Sequence, residues 1–145
     1  MVANPIILGI SEAITLGFPK IKIYDEEIKQ DLKPPCFFIA RIDKSQKHEV
    51  GIRYQDNNTF DIHYFPKEKE LVPRNECMEV EEKLYDLMEL ITVDGTLIRG
   101  SNMDSKIVDD VLHFFVDYNF HLFKVPVEET EPMETIKQTI TLKEQ

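Results

Sequence analysis

The residues of this chain that could support chemistry are histidines and carboxylates placed at alternating positions of extended segments. His63, His113 and His121 lie on predicted strands, and Asp61 and Asp117 stand two and four residues from a histidine. On adjacent strands such side chains could converge on a transition-metal ion. No HExxH or HxH spacing accompanies them, so the pattern favours a polar, partly solvated sheet face. A small metal-dependent enzyme built on the three histidines is the alternative hypothesis.

Other catalytic arrangements find little support in the sequence. Cys36 and Cys77 have neither a glycine-rich elbow nor a histidine in a known catalytic order, which favours buried structural thiols in a reducing compartment. The acidic run from Asp25 to Glu27 adjoins lysines and is typical of a solvated loop. The five glycines form neither a dinucleotide nor a P-loop motif. We therefore predict a protein without enzymatic activity, catalytic residues, cofactor or metal.

The elements that must position these side chains are mainly strands, and the longest is evident from alternation alone. Between Val111 and Phe123 apolar residues recur at every second position with no glycine or proline. The residues predicted to share the buried side are Leu112, Phe114, Val116, Tyr118, Phe120 and Leu122. Eleven such residues span roughly 35 Å, well beyond a typical strand. A strand of this length predicts pairing beyond the core or with another subunit.

Length and charge narrow the function classes. The 145 residues suit one domain with one core. The formal net charge of −10, from 17 basic and 27 acidic residues, argues against tight binding of DNA or RNA. The N-terminal segment carries no lysine or arginine before its apolar stretch, so no secretory signal is expected. No apolar run approaches the roughly 18 residues of a membrane span.

The first half of the chain predicts one helix and three strands. Asn4 and Pro5 mark a helix start, and Pro19 marks its end. The predicted strands cover 21–24, 36–42 and 52–65, the last broken or bulged near Asp56 to Asn58. The polar stretch from Asp43 to Gly51 is predicted to be a mobile turn.

The second half predicts a helix followed by further strands. Asn75 is predicted to cap this helix, and Asp94-Gly95 and Gly100 to Asn102 are predicted turns. The resulting class is α+β, with a mostly antiparallel sheet and two helices packed on one face. The domain is predicted to cover 1–125. Residues 126–145 are predicted to form a flexible acidic tail, with a weak helix or strand within 135–142.

Several of these segments, taken together, resemble a known family. The residues that carry the likeness run from Ile23 to Ile39, from Phe60 to Pro66, from Asn75 to Cys77, and from Asp94 to Phe114. They cover most of residues 1–125. In this order they are similar to the phage tail terminator proteins of Gram-positive bacteriophages and of their defective-prophage or tailocin relatives.

The resemblance implies a virion structural protein that forms a ring, commonly a hexamer, on the head-proximal end of the tail tube. Such a ring ends tube polymerisation and offers a docking face to the neck, so the implied partners are further copies of the chain, the tail tube protein and the neck or head-completion proteins. DNA would pass through the lumen without specific binding, and no membrane is involved. The implied location is the virion tail, and the host cytoplasm during assembly.

On this interpretation, the segments 43–52 and 100–106 reach neighbouring subunits or the tube. The candidate interface residues are Lys47, His48, Arg53, Arg99, Asn102 and Lys106. A head–tail completion or neck protein, which shares the ring arrangement but binds the portal, is the alternative within the same class.

Overall fold

The computed structural model describes residues 4–25, 32–67, 72–126 and 138–143, which form two helices and one sheet. The helices are α1 (Pro5–Gly17) and α2 (Pro73–Leu87). The strands are β1 (Lys22–Asp25), β2 (Cys36–His48), β3 (Arg53–Phe65), β4 (Leu90–Val93), β5 (Thr96–Val108), β6 (Val111–Pro126) and β7 (Gln138–Lys143). The α+β class with a mostly antiparallel sheet is confirmed.

The sheet is organised around β6. Its strand order is β1-β2-β3-β6-β5-β4, and β7 also pairs with β6. Along one edge β6 pairs with β3 through twelve residues, from Arg53↔Phe123 to Tyr64↔Leu112. The other edge is shared, first by β5 and then, from His121 to Pro126, by β7. The length predicted for this strand is confirmed. It allows β6 to pair with β5 and then with β7 along the same edge.

Helix α1 begins as the sequence predicts. The Asn4 side chain accepts hydrogen bonds from the backbone N–H groups of Ile6 and Ile7, at 2.8 and 3.4 Å, and Pro5 occupies the first helical position. The buried residues of the helix recur at helical spacing; they are Ile6, Gly9, Ile10, Ala13 and Ile14. This stripe packs chiefly against β4.

Helix α2 begins three residues earlier than predicted. Pro73 is the first helical residue and Val72 is the N-cap, so the prediction of Asn75 as the cap is wrong. Proline suits this position because the first N–H of a helix has no acceptor within the helix. The buried residues Cys77, Val80 and Leu84 join the same core as α1 and the even-numbered residues of β6 from Leu112 to Leu122. Both helices therefore lie on one face of the sheet.

The polar stretch after Arg41 is a strand, and the prediction of a mobile turn there is wrong. β2 continues to His48 and pairs with β3 as far as Tyr54. The irregularity predicted near Asp56 lies instead in β2, between Arg41 and Asp43, while β3 is continuous. Residues 43–48 of β2 carry polar side chains on both faces, so alternation of apolar and polar residues does not identify them as a strand.

Gly100 to Asn102 also belongs to a strand, so the turn predicted there is wrong. β5 passes through the segment with a register shift between Ser101 and Asp104. Asn102 adopts φ 50°, which is the left-handed conformation that asparagine tolerates well, and this accommodates a bulge. The turn predicted at Asp94-Gly95 is confirmed as a two-residue hairpin loop between Val93 and Thr96.

The segment predicted as a flexible tail contains β7, which pairs antiparallel with the end of β6. Residues 127–137 and 144–145 lie outside the described residues. The domain boundary at residue 125 remains a prediction. Among the residues that the structure describes, no helix is long and apolar enough to cross a membrane.

Candidate functional site

The face of the sheet opposite the two helices, which we call the open face, carries a cluster of two histidines and one aspartate. Asp61 and His63 are two residues apart on β3, so their side chains leave the strand on the same side. His113 on β6 is the direct cross-strand partner of His63. Two adjacent strands near the middle of the sheet thus bring three potential metal ligands together.

The three side chains converge on one carboxylate oxygen. His63 Nε2 lies 3.2 Å from Asp61 Oδ2, and His113 Nδ1 lies 3.3 Å from the same oxygen. One ligand atom from each residue falls within 4.8 Å of the other two. In this arrangement an imidazole N–H can donate to Asp61, or all three atoms can coordinate a cation.

Aromatic rings from β2, β3 and β6 lie beside the cluster. The His63 and His113 rings meet edge to face at 4.5 Å between centroids. Phe38 and Phe65 lie 5.6 and 6.2 Å from the His63 ring, and Phe115 is stacked 6.5 Å from the His113 ring. These contacts fix the imidazole orientations and limit access of water to Asp61.

The electrostatics of the cluster centre on Asp61, which is 8% exposed. Burial alone would raise the pKa of Asp61, but hydrogen bonds and charge from His63 and His113 outweigh it and hold the pKa below its ordinary value. Within the described part of the chain, Asp61 Oδ1 and His63 Nδ1 are buried without a hydrogen-bond partner. The carboxylate is therefore charged, and only one of its two oxygens has hydrogen-bond partners among the described residues.

The other two residues of the metal hypothesis lie elsewhere, so the convergence of all five is wrong. His121 is near the far end of β6, where Nδ1 lies 2.9 Å from Glu49 Oε1 and Nε2 lies 3.1 Å from Arg53 Nη2. Asp117 accepts hydrogen bonds from Thr59 and Asn102. Register decides this outcome, because the His63↔His113 pair sits eight residues along β6 from His121.

The six candidate interface residues fall into two groups. Lys47, His48 and Arg53 lie around the tip of the β2–β3 hairpin, all exposed. Two of them have local partners: His48 contacts the Gly51 carbonyl oxygen, and Arg53 pairs with Glu49 at 3.1 Å.

The second group lies on β5. Arg99 pairs with Glu89 at 2.9 Å, Asn102 donates to Asp117 at 2.8 Å, and Lys106 Nζ lies 5.6 Å from the Phe115 ring centroid. All three are exposed.

A buried polar network on the helix-covered face escaped the sequence analysis. Asp56 is 1% exposed and accepts hydrogen bonds from Lys44, Gln46 and Asn58 at 2.7 to 2.9 Å. It borders a cavity of about 290 Å³ beside the start of α1, floored by Phe120 and Leu122. The signal available in the sequence was the polar run at 56–58 within an otherwise apolar alternation, which also fits a bulge.

Comparison with known proteins gives one informative match. A family model described as phage tail terminator protein matches residues 5–131. No curated protein matches the chain. One solved structure is 10% identical and covers 83% of this chain and 94% of its own, but its TM-score of 0.36 is too low to assign a shared fold.

Proposed function

This chain belongs to the phage tail terminator family and is a structural component of a phage tail, and we propose that it caps the head-proximal end of the tail tube. The cap is a ring of identical subunits, most simply a hexamer, that ends tube polymerisation and presents a docking face to the neck. The match over residues 5–131 is the observation that carries this proposal. The location is the virion tail, with assembly in the host cytoplasm, and a Gram-positive host follows from the sequence resemblance alone.

A closed ring needs two different surfaces on each subunit, because each copy meets one neighbour on either side. The two groups of candidate residues are suited to this requirement because they lie on opposite sides of β6, one at the end of the β2–β3 hairpin and the other along β5. The most distant rows, Lys106↔His113 and Arg53↔Phe123, are ten residues apart along β6, or roughly 33 Å. We assign the contacts with neighbouring subunits and the tube to these two surfaces.

The hairpin tip has features of a contact surface. We define it as Lys47 to Arg53. Val50 is 79% exposed and Ile52 is 42% exposed, although a hairpin tip needs no apolar side chain for its own geometry. Apolar residues beside cations are typical of surfaces that bind another protein. This surface therefore supports the predicted role of Lys47, His48 and Arg53.

The charge of the chain suits a conduit for DNA. A ring of subunits with a net charge of −10 each repels the phosphate backbone, whereas a cationic wall would hold it. Ending a polymer requires only that its growing end be covered by a surface that adds no further subunit. We therefore propose that the protein acts without catalysis.

Tail length in a phage or prophage strain that lacks this gene tests the proposal. Electron microscopy is expected to show tails longer than wild type with a broad length distribution, because tube growth lacks its stop. Supplying the gene in trans is expected to restore one length. Tails of normal length that remain separate from heads would instead identify a head–tail completion protein. Normal, infectious particles would contradict both functions.

A further inference from the structure

We propose that Asp61, His63 and His113 bind one divalent transition-metal ion, with Zn²⁺ as the ion that best suits two imidazoles and a carboxylate. The ion would join β3 to β6 in the middle of the sheet. Binding of this ion is independent of the proposed function in tail assembly.

Geometry is the first support. A tetrahedral zinc ion with bonds of about 2.0 Å holds its ligand atoms about 3.3 Å apart. The two histidine nitrogens lie 3.2 and 3.3 Å from Asp61 Oδ2. Asp61 and His63 are two residues apart on one strand, and His113 lies directly across from His63 on the next strand. These are the nearest neighbours on one face of a sheet.

An unsatisfied buried charge is the second support. The Asp61 side chain is only 11% exposed, and its Oδ1 atom has no hydrogen-bond partner among the described residues. A buried carboxylate is costly unless it is fully paired, and a divalent cation compensates for the burial. The opening toward solvent is retained, since the side chains of His63 and His113 are 20% and 24% exposed.

The surroundings are the third support. Phe38, Phe65 and Phe115 hold the two imidazole rings at the distances given above, so little side-chain entropy is lost when an ion binds. Three protein ligands leave a fourth position of a tetrahedral ion for water.

Zinc binding by the full chain, freed of metal with a chelator, tests the proposal. Titration calorimetry with Zn²⁺ and metal analysis after dialysis are expected to give one ion per chain. At a zinc concentration of about 100 times the Kd, the melting temperature is expected to rise by roughly 5 to 10 °C. Failure to bind at millimolar zinc would mean that the cluster is held by hydrogen bonds alone, and would overturn the proposal.

Variants and spectroscopy identify the ligands. Asp61→Asn and His113→Ala are expected to weaken binding by more than roughly 100-fold, beyond the loss caused by an outer-shell partner. His121→Ala is the matched control, because it removes a histidine from the same side of the same strand outside the cluster, and its affinity is expected to equal wild type. Equal weakening in the control would contradict the assignment.

A measurement on the wild-type protein avoids dependence on variant folding. X-ray absorption of the zinc-loaded chain is expected to show two imidazoles and oxygen ligands. Sulfur in the first shell would place the ion on Cys36 or Cys77 and overturn the proposal.

Discussion

At the scale of single residues, Asp56 shows how this sheet accommodates a buried charge. Burial alone would raise the pKa of Asp56, but hydrogen bonds from Lys44, Gln46 and Asn58, together with the Lys44 charge, keep the pKa below its ordinary value of 3.8. The Lys44 ammonium lies 2.8 Å from the carboxylate and is itself 41% exposed. The network therefore extends from the buried Asp56 carboxylate to the half-exposed Lys44 ammonium, which reaches solvent.

Replacing Asp56 is expected to destabilise the protein in a pH-dependent way. Asp56→Ala removes the acceptor of the buried Asn58 amide and of the exposed Lys44 and Gln46 side chains, and should lower the free energy of unfolding by roughly 1 to 3 kcal/mol near neutral pH. As pH falls, the unfolded chain takes up the Asp56 proton before the folded chain does. The contribution is thus complete above the unfolded pKa and is lost below about pH 4, as pH falls through the folded value.

Urea unfolding of wild type and variant across pH measures this difference. Asp43→Ala is the control, because Asp43 is an exposed carboxylate on the same hairpin, and it should stay within about 0.5 kcal/mol of wild type. A difference between Asp56→Ala and wild type that persists unchanged at pH 2 would contradict the role assigned to the ionised carboxylate.

At the scale of elements, β5 depends on a close approach at Gly100. A Cβ atom there would lie 2.5 Å from the Met88 carbonyl oxygen and 2.9 Å from Val116 Cγ2. The Gly100 N–H also donates to the Glu89 carbonyl oxygen at 2.8 Å. The residue after α2, the start of β4 and the middle of β6 meet at this point, so the glycine is required for packing and not for a turn.

Gly100→Ala is expected to destabilise the fold by roughly 1 to 3 kcal/mol, because backbone on one side and a buried valine on the other must both move. Thermal and denaturant unfolding measure the change. Leu97→Ala, at a half-exposed position of the same strand, should change stability by about 0.5 kcal/mol or less. Equal stability of Gly100→Ala and wild type would show that the strands can shift at no cost.

At the scale of the whole molecule, the hairpin tip lies at the end of β2 farthest from β1. Twelve residues of β2 separate Cys36, which pairs with β1, from His48 at the tip, a distance of roughly 40 Å. Every residue from Arg41 to Arg53 is exposed. An exposed hairpin end of this kind is suited to contact with another subunit or the tube.

The double variant Lys47→Glu with Val50→Ser is expected to fold normally and to restore tail length poorly in the strain lacking this gene. The reason is that it removes an exposed apolar contact and reverses a charge at the proposed interface. Electron microscopy of the tails measures the outcome. The matched control is Lys20→Glu with Leu16→Ser, which makes the same changes at exposed positions in the last turn of α1 and just after it. Equal restoration by both variants would contradict a role for the hairpin tip.

The extent to which the fold could be read from the sequence depends on what each signal encodes. Alternation identified β6 and its buried residues, because a strand with one buried face must place apolar side chains at every second position. Asn4, Pro5 and Asp94-Gly95 were recognised because their backbone preferences act locally. Gly100 to Asn102 and Asp56 to Asn58 were misjudged, since the same residue types serve turns, bulges and buried networks.

The sequence by itself determined that Asp61 and His63 share a face, and that the chain is an acidic α+β domain with a terminator-like pattern. Only the tertiary structure decided which histidine joins them. Register across two strands selects His113 and excludes His121, and register follows from packing of the whole sheet over the core. Asp56 was decided in the same way, because its partners Lys44 and Gln46 come from β2 and their positions depend on the bulge after Arg41.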